Sequence, residues 1–232
     1  MSRTRQEPAG TPRGYMGTTG TTQSHLNPTG ESMIRIATFA CILLLGSAAA
    51  ANAAAIVGKQ APPIELKDSN GKLVRLDGFK GKFVVLEWVN FQCPFVGKHY
   101  GSGNMQKLQK TYTQKGVVWL SICSSAQGKQ GHVTGQEANT LVEEKGAKPS
   151  RFLLDPKGSV GKAYGAKTTP HIFVIDPKGT VLYNGAIDDT PSTDKADIAT
   201  AKNYLVAALD SAMSGKKVET AVTQPYGCSV KY

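Results

Sequence analysis

The run 83–89, Phe83-Val84-Val85-Leu86-Glu87-Trp88-Val89, is apolar at every position but one, and Cys93-Pro94 follows shortly after it. A continuous apolar stretch of that length reads as a central strand covered on both faces, which asks for a layered α/β fold. Where the strand stops, Cys followed by Pro reads as a helix N-cap with Pro at the first helical position. A sulfur there faces unpaired backbone N–H groups and the positive end of the helix dipole. Both favour the thiolate, which is the reactive species. A structural core cysteine would sit inside the strand, so Cys93 at its mouth is read as an exposed, reactive thiol.

The chain has 232 residues, and the fold does not need all of them. Met33 and Arg35 precede an apolar stretch over 36–45, and Ala51-Asn52-Ala53 supplies small residues for cleavage. This is the pattern of a signal peptide over 33–53, too short and wrongly flanked for a membrane span. Cys41 lies within the apolar stretch behind Phe39 and Ala40, which argues against lipoprotein-type cleavage. Residues 1–32 are rich in Gly, Thr, Ser, Arg and Pro. They read as a disordered leader, or as a mis-assigned start with translation beginning at Met33. One domain with a C-terminal tail remains over 56–232, long enough to bury a core. The expected location is periplasmic or secreted, with no transmembrane anchor in the mature form.

Processing leaves Cys93, Cys123 and Cys228. In an oxidising compartment an odd number leaves at least one thiol outside any intramolecular pair, and three are few for a structural framework. Redox or ligand chemistry is the better expectation. Lys and Arg number 27 against 17 Asp and Glu, a net +10. These charges are dispersed and not interleaved with aromatics, which excludes a nucleic-acid binder.

Along the chain, Asn70-Gly71 between two short alternating strands predicts a hairpin. Gly97, Gly101 and Gly103 predict that the helix after Cys93 lasts one turn before a bend. A second stretch then starts at Asn104, with Met105, Leu108 and Tyr112 on its buried face. Further strands are expected at 117–122, 152–154, 171–175 and 181–183, and helices at 135–145 and 160–164. A long amphipathic helix is expected over 194–213, turning Ile198, Ala201, Leu205, Ala208 and Leu209 inward. Strands and helices in this order predict a mixed sheet with helices on both faces.

Two more features carry chemistry. Glu87 is a carboxylate inside a buried run, where desolvation raises its pKa toward neutrality and suits it to accept a proton. Six residues before Cys93, it is placed to relay a proton to or from the cysteine region through water. Thr169-Pro170 directly before a strand is a candidate cis prolyl bond, whose preceding backbone is left to pair with an extended substrate.

These features resemble the thioredoxin-like superfamily: Cys93-Pro94 at a strand-to-helix junction, an acid six residues earlier, and Thr169-Pro170 before a later strand. The opening Val57-Gly58-Lys59-Gln60-Ala61-Pro62 and Gly81-Lys82-Phe83-Val84-Val85-Leu86 look like its redoxin branch, which includes the alkyl hydroperoxide reductase and thiol-specific antioxidant proteins. More narrowly, Ala163-Tyr164-Gly165, Ile187-Asp188-Asp189 and the terminal Gly227-Cys228-Ser229-Val230-Lys231-Tyr232 resemble a peroxiredoxin-like group. The resemblance spans about 56–232. It implies a thioredoxin-like α/β fold, an oxidoreductase, Cys93 as nucleophile with Glu87 beside it, and substrate binding at Pro94, Thr169 and Pro170.

The departures narrow what carries over. The second cysteine of a Cys-x-x-Cys pair is replaced by Val96, so a vicinal dithiol switch is absent. Leu86 and Asn90 stand where peroxiredoxins carry Pro and Thr, and the peroxide-polarising Arg has no counterpart beside Thr169-Pro170. Those groups stabilise charge as the O–O bond breaks. Cys228, expected in a flexible tail after Gly227, is the preferred resolving thiol, with Cys123 as its rival.

The leading expectation is an exported thiol–disulfide oxidoreductase acting through one helix-N-terminal thiolate. Its substrates would be protein or small-molecule thiols, disulfides or peroxides, with a thiol electron donor and no cofactor. One alternative is a peroxiredoxin-like peroxidase of low efficiency. The other is a non-catalytic module that binds a partner, or a metal through Cys93 with His99 or His171.

Overall fold

The computed structural model describes residues 55–232. The leader and signal-peptide readings for 1–32 and 33–53 fall outside the described residues. The strands are β1 (Glu65–Asp68), β2 (Leu73–Arg75), β3 (Val84–Trp88), β4 (Val118–Cys123), β5 (Arg151–Leu154), β6 (Thr168–Thr169), β7 (His171–Ile175), β8 (Val181–Gly185) and β9 (Cys228–Ser229). The helices are α1 (Pro94–Gly101), α2 (Asn104–Gln114), α3 (Gly135–Glu144), α4 (Ser159–Tyr164) and α5 (Tyr204–Met213).

Seven strands form one mixed sheet in the order β2-β1-β5-β4-β3-β7-β8, and β6 and β9 form a separate two-stranded pair. The predicted hairpin is β1–β2, antiparallel with Leu66 opposite Val74. Its turn is closed by Asp68, whose carboxylate accepts the amides of Asn70 and Lys72. At the centre, β3 runs parallel to β4 and antiparallel to β7. All five residues of β3 are buried, as its apolar run requires.

Alternation along β3 feeds two cores. Val85 and Val89 face α1, α2 and α5 through Val96, Tyr100, Met105, Leu108, Leu205 and Leu209. Leu86 and Trp88 face α4 through Val160 and Tyr164. Each large side chain so buried contributes about 1.5–3 kcal/mol. The predicted layering, with helices on both faces and the hairpin leading in, is therefore present.

Two helix expectations need correction. The helix after Cys93 does not stop after one turn: α1 runs through Gly97 to Gly101. Val96, Lys98, His99 and Tyr100 are all buried, and this packing outweighs the weak propensity of one glycine. The helix expected over 194–213 is instead a 3-10 turn (Ala196–Ala199) followed by the shorter α5. Asn203 breaks it, since its side chain caps α5 by accepting the Val206 amide at 2.9 Å.

Candidate active site

Cys93 is the N-cap of α1, extended at φ −81° and ψ 126°, with Pro94 opening the helix. The thiol is not exposed as expected: Cys93 is only 1 % exposed. The cover is the C-terminal segment, which is docked and not free. Cys228 and Ser229 pair antiparallel with Thr169 and Thr168. Gly227 makes this approach possible: it sits at φ +136°, and a Cβ there would run into the Thr169 carbonyl. The Thr169–Pro170 bond is cis, and the Thr169 carbonyl accepts the Cys93 thiol at 3.1 Å.

Burial alone would raise the pKa of Cys93, but the groups around the sulfur reverse the sign. The Cys228 thiol, the Val96 amide, the Thr169 hydroxyl and the Cys228 amide all favour the thiolate, and the net shift is downward. The Thr169 hydroxyl is buried and has no hydrogen-bond partner. It can turn its proton toward the sulfur once that is ionised. Cys228 moves the opposite way: partial burial and the adjoining Cys93 push it up to about 11. Near neutral pH the arrangement is thus a thiolate-prone Cys93 facing a protonated Cys228.

Cys123 plays no part in this contact. It is the last residue of β4, buried, and donates to the Gly131 carbonyl at 3.2 Å. Burial raises its pKa. It lines a separate cavity of about 180 Å³ with Val89, Phe91, Val133 and Phe152.

Glu87 is buried on the α1/α2 side of β3 as anticipated, and burial raises its pKa even though four donors surround it. The Trp119 indole donates at 2.8 Å, Ser121 at 2.9 Å, Gln109 at 3.2 Å and Tyr100 at 2.9 Å. No hydrogen bond joins Glu87 to Cys93 or Cys228. Among the substrate-binding candidates, Pro94 is exposed on the rim, while Thr169 and Pro170 are buried beneath the tail.

The imidazoles do not converge on the thiol. His171 Nδ1 accepts the Lys167 amide at 3.2 Å, and its Nε2 meets the Asn184 side-chain oxygen Oδ1 at 2.8 Å. His99 is held between Asn104 and the Tyr226 hydroxyl. Burial pushes both rings down to about 4. Among the described residues no group of three or more His, Cys, Asp or Glu is placed to hold a metal ion.

Sequence reasoning missed the anchor of the tail. The Tyr226 hydroxyl donates to Asp188 and meets His99. Lys98 lies 3.6 Å from Asp188 and donates to the Thr190 carbonyl at 2.7 Å. The Tyr226 ring packs edge-on against Phe95, next to Pro94. In the sequence Asp188 stands out only within Ile187-Asp188-Asp189. A lysine and an aspartate that must both be buried become visible only once α1 and the segment after β8 are brought together.

The model of one protein family, Redoxin, matches residues 56–204. The chain belongs to the Redoxin family. Among solved structures, an uncharacterized conserved protein from Geobacillus kaustophilus is 29% identical, with 77% of this chain and 93% of that one covered at a TM-score of 0.63. A hypothetical protein from Sinorhizobium meliloti is 27% identical, covering 76% and 94% at a TM-score of 0.64. A putative thiol:disulfide interchange protein DsbE from Chlorobium tepidum is 26% identical over 56% of this chain and 84% of that one, at a TM-score of 0.44. No curated protein matches this redoxin. Membership of the redoxin family, with the mixed sheet described above, makes its fold thioredoxin-like and its function a redox function of that kind. Among the described residues no helix is long and apolar enough to cross a membrane.

Proposed function

We propose that this redoxin is an exported thiol–disulfide oxidoreductase with Cys93 as nucleophile and Cys228 as resolving thiol. The observation that carries the proposal is the pairing of Cys228 with Thr169, whose carbonyl accepts the Cys93 thiol at 3.1 Å, so that both cysteines meet one backbone residue at the start of α1. The downward shift of Cys93 and the upward shift of Cys228 agree with it. In the first step the Cys93 thiolate attacks one sulfur of a disulfide. A mixed disulfide forms, and the other half leaves as a thiolate. Cys228 then loses its proton to the departing thiolate and attacks the Cys93 sulfur, releasing the second half of the substrate. A Cys93–Cys228 disulfide results, and an external dithiol reduces it to close the cycle.

Glu87 enters this scheme as a buried acid in the strand leading to Cys93, and not as a contact of the sulfur. Pro94 forms the rim, and Thr169 with Pro170 the floor, against which substrate is held. Thiol exchange is favoured over peroxide reduction by the surroundings of Asn90. Its side chain accepts the Gln92 amide and donates to the Gln130 carbonyl, and so stands in the loop. Leader cleavage near Ala53 and delivery to a periplasmic or extracellular space belong to the same proposal.

The test is cysteine mapping by mass spectrometry after reaction with a limiting small disulfide. A Cys93–Cys228 linkage with Cys123 left as thiol is the expected result. Recovery of a Cys93–Cys123 linkage, or of an unmodified Cys93, overturns the scheme.

A further inference from the structure

The strap formed by 226–232 lies where an extended partner would lie. Its Cys228–Ser229 segment takes up the Thr168–Thr169 edge. Beyond it, the Val230 amide donates to the Lys167 carbonyl at 3.0 Å, and the Ala126 amide donates to the Lys231 carbonyl at 2.7 Å. Both ends are pinned by tyrosines. Tyr226 is held by Asp188 and His99. The Tyr232 ring lies over Gly158 and Gly161, where a Cβ on Gly161 would come within 2.5 Å of the phenol oxygen. The Tyr232 hydroxyl donates to the Ala166 carbonyl at 2.8 Å, and the Lys162 ammonium stands 5.5 Å from its ring centre. Such pinning exceeds what is needed to present one thiol.

We infer that the strap is an autoinhibitory strand, an internal occupant of the partner-binding edge that an extended, cysteine-bearing peptide must displace to reach Cys93. The inference rests on the reading of Cys93 as nucleophile. Because the strap is tethered, it competes at an effective concentration on the order of millimolar. Free peptides at lower concentration are held off, while tight binders or local release of the strap open the edge. The register is set by the strap itself: the sulfur of the incoming peptide takes the place of Cys228 opposite Thr169. Cys93 then bonds to that sulfur, and the peptide's second sulfur leaves as a thiolate.

The experiment uses the full chain and two probes. One is a short extended peptide whose single central cysteine carries 5-thio-2-nitrobenzoate as a mixed disulfide. The other is Ellman's reagent alone. Each is followed by thionitrobenzoate release and by mapping of modified Cys93. In Tyr232→Ala, the peptide rate is expected to rise about tenfold more than the reagent rate, the size of effect expected when a tethered competitor is weakened. A truncation after Ser229 is the second arm, for the case in which Tyr232→Ala does not fold. An unchanged peptide-to-reagent ratio, with Cys93 still reacting with Ellman's reagent, overturns the strap inference alone. Failure of Cys93 to react with Ellman's reagent in any of the proteins overturns the nucleophile reading instead.

Discussion

Cys228 stands opposite Thr169 in a two-residue antiparallel pairing, and the carbonyl of that same Thr169 accepts the Cys93 thiol at 3.1 Å. One backbone residue therefore sets the placement of both sulfurs. A solvent-exposed helix-capping thiol would depend on the dipole and the Val96 amide alone. Here the desolvation that opposes ionisation is offset by donors that the C-terminal segment brings with it.

Removing the Cys228 thiol should raise the pKa of Cys93, since that thiol is the largest of the influences lowering it. The pH dependence of iodoacetamide alkylation reads this directly, because the thiolate is the reacting form. In the wild type the inflection is expected below the ordinary thiol value of 9.0, and in Cys228→Ala it moves upward. Cys228 contributes little alkylation near neutral pH, its own pKa being pushed up to about 11. Identical inflections in the two proteins would dismiss the sulfur–sulfur contact.

Gly227→Val should separate the two cysteines without altering either. A side chain at φ +136° is strained, and its Cβ would enter the Thr169 carbonyl. The β6–β9 pairing is expected to open. Formation of the Cys93–Cys228 disulfide from the mixed disulfide then slows about tenfold or more, since the effective concentration of the resolving thiol falls. In the same variant the alkylation inflection of Cys93 moves upward as in Cys228→Ala, while the rate above that inflection rises as its cover lifts. Quenched time courses mapped by mass spectrometry measure both, and a resolution rate equal to wild type would mean that the pairing does not position Cys228.

Local signals accounted for much of this site, and their limits are physical. The apolar run of β3, the Cys93-Pro94 junction and Thr169-Pro170 are short-range patterns, and each marks its own element. Glu87 was legible because a charge inside an apolar run has few explanations. The docking of the tail was not legible. It depends on Tyr226 meeting Asp188 and Tyr232 meeting Gly158 and Gly161, pairs far apart in sequence whose residue types are unremarkable singly. A terminal stretch with glycine and no apolar period reads as loose until its partners are known. The break at Asn203 escaped for the opposite reason: a helical apolar period ran on through a residue whose side chain preferred to cap.

Glu87→Gln separates a proton relay from a structural role. The substitution keeps the shape and one acceptor oxygen, which at the Oε2 position still meets Trp119, Ser121 and Gln109, while the Tyr100 hydroxyl that bonded Oε1 meets the new amide. If the acid moves protons during exchange, resolution of the mixed disulfide should slow on the order of a hundredfold, the low end of general acid–base effects. The alkylation inflection of Cys93 should stay in place, because no hydrogen bond links the two residues. Stopped-flow resolution rates across pH decide it, and an unchanged profile removes Glu87 from the chemistry. Glu87→Leu is the structural control. It strips the buried Trp119 indole of its acceptor and should cost about 1–3 kcal/mol in urea unfolding.

His99 and His171 should make the fold acid-sensitive well above the carboxylate range. Burial holds both at about 4, against 6.5 for an ordinary imidazole. As pH falls below 6.5 the unfolded chain takes up two protons that the folded chain refuses until about 4. Stability is therefore complete above 6.5 and is lost across the window down to 4. The geometry gives the reason: His171 Nδ1 accepts the Lys167 amide, and His99 Nδ1 faces the Asn104 side-chain amide, so a proton on either nitrogen breaks a buried bond. The Lys98 and Lys167 ammonium groups add to the opposition, and Asp188 relieves part of it at His99. Each histidine accounts for at most about 3 kcal/mol by this linkage. Urea unfolding at a series of pH values should show the slope, and His99→Gln should reduce it by roughly half if the two rings contribute equally. A stability that stays flat between 6.5 and 4 would mean that both imidazoles protonate freely in the folded state, and that the Tyr226 anchor is far more open to water than its packing indicates.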